Sequence, residues 1–209
     1  MNGQWDSIRK EDIRELLDGR QAEKIYPVTR RNAVLIPLLE KEGEWHILFE
    51  VRQAGIRQGG EICFPGGRVE AGESGAEAAA RETAEELRIP REDIEVLAPM
   101  HEMMGPGGAA VESCLGVLSH YEGTFSKEEV DHVFTLPLSW FAAHPPAIHR
   151  ADYVIETGED FPTDLIPGNG HYPFRKIPRN YYFYETGYGV IWGMTAELLY
   201  HFLRCLQEL

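Results

Sequence analysis

Three carboxylates dominate the chemistry this chain offers. Glu82, Glu85 and Glu86 stand at i, i+3 and i+4 in an alanine-rich run, so a helix would put all three on one face. Like charges at that spacing weaken a helix. They make sense as a site for a hard divalent cation, because Mg2+ and Mn2+ prefer carboxylate oxygens. By itself such a triplet is more often an ordinary acidic surface helix. Arg81 lies beside the acids and is placed to hold Glu73, in the preceding loop, by a bidentate pair.

The helix that carries these groups is expected over about Ser74 to Arg88. Ser74 suits an N-cap with Glu77 as reciprocal partner, and Pro90 stops the helix. Upstream, the apolar run Ile62, Cys63, Phe64, Pro65 leads into an expected tight turn at Gly66 and Gly67. Arg52, Arg57 and Arg68 flank that turn and are the local cations there. The chain has a net charge of −14, which argues against general nucleic-acid binding. Bound metal and local arginines must therefore reverse the field around any anionic ligand.

The remaining elements follow from pattern. With 209 residues, 43% apolar and 26% charged, the chain reads as one soluble globular domain over 1–209. Residues 1–29 form a helical extension, with a helix expected over 5–19, and 30–209 form the core. Strands are expected over 33–39 and 45–51 as a hairpin, then over 94–100, 111–119, 130–138, 148–157 and 180–185. Residues 103–110 read as a loop, as does the long proline- and glycine-bearing stretch 158–179. A short helix is expected over 139–143, and a closing helix over 191–209 with Leu198, Leu199, Phe202, Leu203 and Leu206 on one stripe. Strands on both sides of one central helix imply an α/β fold, a mixed sheet between helical layers.

Compartment and other chemistries are read from what the pattern lacks. No apolar run approaches a membrane span, the first residues lack a secretory core, and Gln207-Glu208-Leu209 match no retention or peroxisomal signal. Cys63, Cys114 and Cys205 are expected as buried free thiols in a reducing cytoplasm. His101, His120 and His171 show no ligand spacing and read as surface or loop residues. No Ser-His-Asp set or zinc-type Cys/His spacing is present.

Gly67, five residues, Glu73, seven residues, Arg81-Glu82, two residues, Glu85-Glu86 resembles the signature box of the Nudix hydrolases. Thr83 stands where that family has an apolar residue, and Arg88 where it has glycine. Arg88 is expected to place a cation near the helix's negative end. Arg52 to Gly67, RQAGIRQGGEICFPGG, is similar to the segment before the box in the coenzyme A diphosphatase branch. So are Val130 to Leu138 and Ile191-Trp192-Gly193-Met194-Thr195-Ala196, where Thr195 is the expected helix cap.

The resemblance implies an α/β/α sandwich and metal-dependent hydrolysis, with Mg2+ or Mn2+, of a diphosphate in a nucleoside diphosphate linked to another group. For coenzyme A the products are 3′,5′-ADP and 4′-phosphopantetheine. Glu82 and Glu86 are then direct metal ligands, Glu85 a ligand or, through water, the base, and Glu73 the residue that orients Arg81. Arg52, Arg57, Gly66, Gly67 and Arg68 meet substrate. Glu112 is a candidate for a carboxylate outside the box, or a plain strand acid. ADP-ribose or a dinucleotide is an alternative substrate, and a non-catalytic nucleotide sensor an alternative role. The sequence leaves the oligomeric state open.

Overall fold

The computed structural model describes residues 28–105, 108–168 and 172–207, with positions 10, 11, 15 and 18 before them. The helix expected over 5–19 and His171 lie outside the described residues.

Five strands carry the main sheet: β1 (Arg30–Lys41), β2 (Glu44–Arg52), β3 (Ile62–Cys63), β5 (Ile94–Met104) and β6 (Ala109–Leu118), in the order β3-β2-β1-β6-β5. Two more join it: β4 (Gly66–Arg68) pairs with β1, and β7 (Val130–Pro137) with β2. β1 and β6 are parallel and the other pairs antiparallel, so the sheet is mixed.

From Ala33 to Leu39 β1 is apolar at every residue because both faces are covered. Ala33, Leu35 and Leu39 face one core, and Ile36 and Leu38 the other. The first core lies under helix α1 (Gly75–Leu87), whose Ala78, Ala79 and Ala80 are fully buried. Small side chains there let the helix lie close to the strands. The second core lies under α2 (Leu138–Ala143) and α3 (Gly193–Leu206), with Phe49 stacked between Phe64 and Phe134 at 5.1 and 5.4 Å. The result is the expected sandwich. The alternation decides where β2 points its acid: Ile47, Phe49 and Val51 face the second core, while Leu48 and then Glu50 face α1.

Several expectations are corrected. Gly66 and Gly67 form no turn; they belong to β4, paired with Val34 and Ala33. The ends of 103–110 are strand and not loop, since β5 runs to Met104 and β6 starts at Ala109. The closing helix starts at Gly193, because Gly189–Ile191 form β10 against β9 (Ile177–Thr186). Its N-cap is Trp192, with no side-chain cap bond, so Thr195 does not cap it. β10 and β9 join β8 (Ala147–Tyr153) in a second, three-stranded sheet that the sequence pattern did not announce. Cys114 is buried, but Cys63 is half-buried and Cys205 exposed; all three are free. His101 lies half-buried on β5, its ring 5.5 Å from that of His201, rather than on a surface loop.

Candidate functional site

The site is assembled around the two ends of α1. At its start Ser74 and Glu77 form a complete capping box: the Glu77 amide donates to Ser74 Oγ at 3.2 Å, and the Ser74 amide to Glu77 Oε2 at 2.8 Å. At its end Arg88 adopts the left-handed conformation, φ 55°, and donates its amide to the Ala84 carbonyl. This explains the glycine expected there; arginine takes the same dihedral, at a steric cost. Its guanidinium does not sit on the helix carbonyls. It reaches Glu128 at 3.1 Å and Ser126 at 3.3 Å. The carbonyls are met instead by the loop before β7: the Ser126 amide donates to Glu86 O, and Thr124 Oγ1 to Leu87 O, both at 2.7 Å. Thr83 is fully buried, and its hydroxyl donates to the Ala79 carbonyl one turn back at 2.6 Å, so a polar residue fills an apolar position at no unpaired cost.

Arg81 is the tie between helix and loop. It gives Nε to Glu73 Oε1 at 3.0 Å and Nη2 to Glu73 Oε2 at 3.2 Å, the bidentate pair expected from spacing. Nη2 also donates to the Arg68 carbonyl, and Nη1 to Glu82 Oε1, each at 3.0 Å. Glu85 Oε2 stands 3.6 Å from Nη1 and is 60% exposed. The Arg81 and Glu70 hydrogen bonds hold the Glu73 carboxyl below the usual carboxylate range.

The other acids are held differently. Glu82 packs on Gly67, where a Cβ would overlap its carboxyl group, and Gly66, at φ 151°, has no room for a Cβ against the Ala33 carbonyl. The two glycines thus let the helix acids reach the β4 backbone. The Gly66 amide donates to Glu86 Oε2 at 2.8 Å, so that group is already taken and is not free for a phosphate.

Glu86 is 4% exposed, and Glu50, from β2, is 1% exposed. Among the described residues neither has an ion pair with an arginine or lysine. Glu50 Oε1 accepts the Cys63 thiol at 3.3 Å, while its buried Oε2 has no partner. Burial pushes the Glu86 carboxyl well above the usual range, and the Glu50 charge pushes it further. Burial raises Glu50 too, offset in part by the Cys63 thiol and the Arg52 charge. Burial also raises Glu82, against the pull of Arg81. Cys63 is driven up by burial and the same acid, which makes it a proton donor to Glu50 and not a nucleophile.

One hydrogen bond to a charged acceptor contributes about 1.5–3 kcal/mol, whereas burying each ion costs several kcal/mol. The Gly66 amide therefore cannot hold two facing carboxylates ionised. A divalent cation would, and the donor set, all carboxylate oxygen with one orphaned atom, fits a hard ion. Among the described residues, no three such side chains are yet gathered tightly enough to hold one.

Glu112 is not part of this cluster. It packs at Gly75, the start of the helix, 3.6 Å from Arg31. The carboxylates that approach from outside the box are Glu50 and Glu129. Glu129 sits on the loop docked against the helix end, and its charge is felt by Glu50, Glu82 and Glu86. Glu50 was hidden in the stretch 47–51 of β2, which is otherwise apolar; an acid at a buried alternation position was the signal.

Arg52 closes β2 beside this cluster, and its Nε donates to the Arg57 carbonyl at 3.2 Å, which brings the exposed Arg57 alongside. Arg68 is exposed at the end of β4. An open groove of about 1120 Å3 runs along the outer face of α1 and borders the acids at Arg81, Glu85 and Glu129.

Residues 29–156 match the family described as NUDIX domain. The chain is 32% identical over 132 residues to the peroxisomal coenzyme A diphosphatase NUDT7 of Mus musculus, covering 62% of this chain and 55% of that protein, so it spans little more than half of it. It is 30% identical over 176 residues to NudL of Citrobacter koseri, described as an uncharacterized Nudix hydrolase, covering 81% and 79% of the two chains. Among solved structures, a MutT/nudix family protein from Enterococcus faecalis superimposes with a TM-score of 0.50 over 94% of this chain and 69% of that one, at 17% identity, a likeness of fold alone.

Two outcomes are expected. In a Glu73→Ala, Arg81→Ala double-mutant cycle, thermal unfolding should show a coupling of about 1 kcal/mol or more, and strict additivity would remove the tie. The second concerns pH. A carboxyl whose folded pKa is raised above its unfolded value, about 4.3, stabilises fully only below that value, and the stability is lost as pH rises through the folded pKa. Metal-free wild type should therefore lose stability as pH rises from about 4.3 through about 7, the value to which Glu50 is raised, and Glu50→Gln should lose less, as read by denaturant titration.

Proposed function

This chain belongs to the Nudix hydrolase family, enzymes acting on diphosphate anhydrides, and on that premise we propose that its substrate is coenzyme A or an acyl derivative. The observation that carries the metal-dependent chemistry is the buried, uncompensated Glu86 carboxylate beside Glu50. The substrate reading is supported by Arg52 to Gly67, which resembles the coenzyme A diphosphatase branch, and by the 32% identity to a relative of that description.

Glu82 and Glu86 would hold Mg2+ or Mn2+, with Glu85 as a further ligand or as base through water. When bound, such an ion supplies charge neutralisation on the diphosphate and a lower pKa for a bound water. The chain's own residues do the rest. Arg81 fixes the Glu82 rotamer and locks the Glu73 loop over the helix start. Gly66 anchors Glu86. Glu85 is exposed beside the groove, where it can take a proton from water. Arg52, Arg57 and Arg68 meet phosphate oxygens and offset the chain's acidity. In the reaction water adds its oxygen to one phosphorus, and the anhydride P–O bond breaks with its electrons to the leaving phosphate. The products are 3′,5′-ADP and 4′-phosphopantetheine.

The test is a panel of coenzyme A, dephospho-coenzyme A, ADP-ribose and NADH with Mg2+ or Mn2+, products identified by mass. The 3′-phosphate of coenzyme A adds roughly two negative charges near neutral pH. Coenzyme A should lead in kcat/KM, and Arg57→Ala should erase its advantage over dephospho-coenzyme A. Glu86→Gln should lower kcat at least ~100-fold with folding intact. Preference for ADP-ribose with indifference to coenzyme A would overturn the substrate while leaving the diphosphate chemistry.

A further inference from the structure

The second sheet ends in a strand that nothing covers among the described residues. β8 pairs with β9 along its whole length, from Ala147 opposite Phe183 to Tyr153 opposite Ile177. Among the described residues no strand takes its other edge, and all seven of its residues are exposed. Apolar side chains continue the surface: Ile148, Val154, Ile155 and Ile177 are each more than half exposed. An open edge of this length is a template for another strand, and an apolar surface around it marks an interface.

We propose that this edge joins a second copy of the chain: β8 pairs antiparallel with β8 of the partner about Ala151, giving a two-fold dimer in which the two small sheets become one. The choice of a second copy follows from the order of charges. A two-fold axis normal to the sheet keeps each residue on its own face, so opposed residues are an even number apart and the register is named by the residue on the axis. With Arg150 on the axis, arginine meets arginine. With Asp152 there, acid meets acid. With Ala151 there, Arg150 lies opposite Asp152 of the partner subunit, twice by symmetry, and Ile148 opposite Val154 of the partner subunit, while the smallest side chain sits where the strands cross. Opposite charges and apolar pairs directly across strands are the favourable combinations.

Arg150 and Asp152 have no tighter commitment that would forbid this. Among the described residues their ion pair is to each other along the strand, 3.7 Å, at 68% and 36% side-chain exposure. Edge charges that guard against association are of one sign and repel a copy; here the two signs are matched. The stretch from Ala147 to Ile155 holds one charge of each sign, in a chain of net charge −14 whose other surfaces would repel a copy.

Sedimentation of the full chain measures this directly. Wild type should run as a species of twice 23.7 kDa. Arg150→Asp and Asp152→Arg each set like charges across the axis twice and should weaken the dimer roughly tenfold or more, with circular dichroism unchanged. The double variant Arg150→Asp, Asp152→Arg restores opposite charges and should re-form the dimer. A monomeric wild type overturns the proposal. So does a dimer indifferent to the single changes, or a double variant no tighter than the singles.

Discussion

The site depends on two acids taken out of water, neither paired with an arginine or lysine among the described residues. Glu86 and Glu50 are almost fully buried, and one backbone amide and one thiol are what they are given. Burial raises both carboxyls above the usual range, so the metal-free protein favours their protonated forms over two buried charges. The local architecture follows from it. Gly66 and Gly67 are bare so that the acids can approach β4. The alanines of α1 bring the helix down onto the sheet. The loop through Ser126 caps the helix end and brings Glu129 toward the same charge. Stability given up at a site in the metal-free state is returned when a ligand binds the folded form.

Arg81 plays the opposite part. It is bound to Glu73, Glu82 and the Arg68 carbonyl, so it neutralises the rim of the cluster and leaves its floor unpaired. Pairing thus falls off from Glu82 on the helix, held by Arg81, to Glu50 on β2, one of whose oxygens has no partner. Two of the acids are already anchored, Glu82 by Arg81 and Glu86 by the Gly66 amide, and one buried oxygen, Glu50 Oε2, is left without a partner.

Much of this was readable in the sequence where local rules decide. The capping box at Ser74, the Glu73–Arg81 pair and the shared face of Glu82 and Glu86 are consequences of helix period and reach. β1 and β2 announced themselves by apolar runs. What could not be read was long-range. Glu50 lies thirty-six residues from Glu86, and only the closing of β2 against α1 makes them neighbours. Glu112 was the wrong acid because register placed it under the helix start. Gly66 and Gly67 looked like a turn because glycine pairs mark turns more often than close backbone approach. Arg88 hid a left-handed residue, since its identity gives no hint of its dihedral.

The most direct measurement is calorimetric titration of Mn2+ or Mg2+ into metal-free protein near neutral pH, repeated in buffers of different ionisation heat. If the buried acids hold a proton until a cation replaces it, binding will release protons, on the order of one per site, and will raise the melting temperature. Binding with no proton release, or no binding at all, would contradict the account of Glu86 and Glu50 as a cation site.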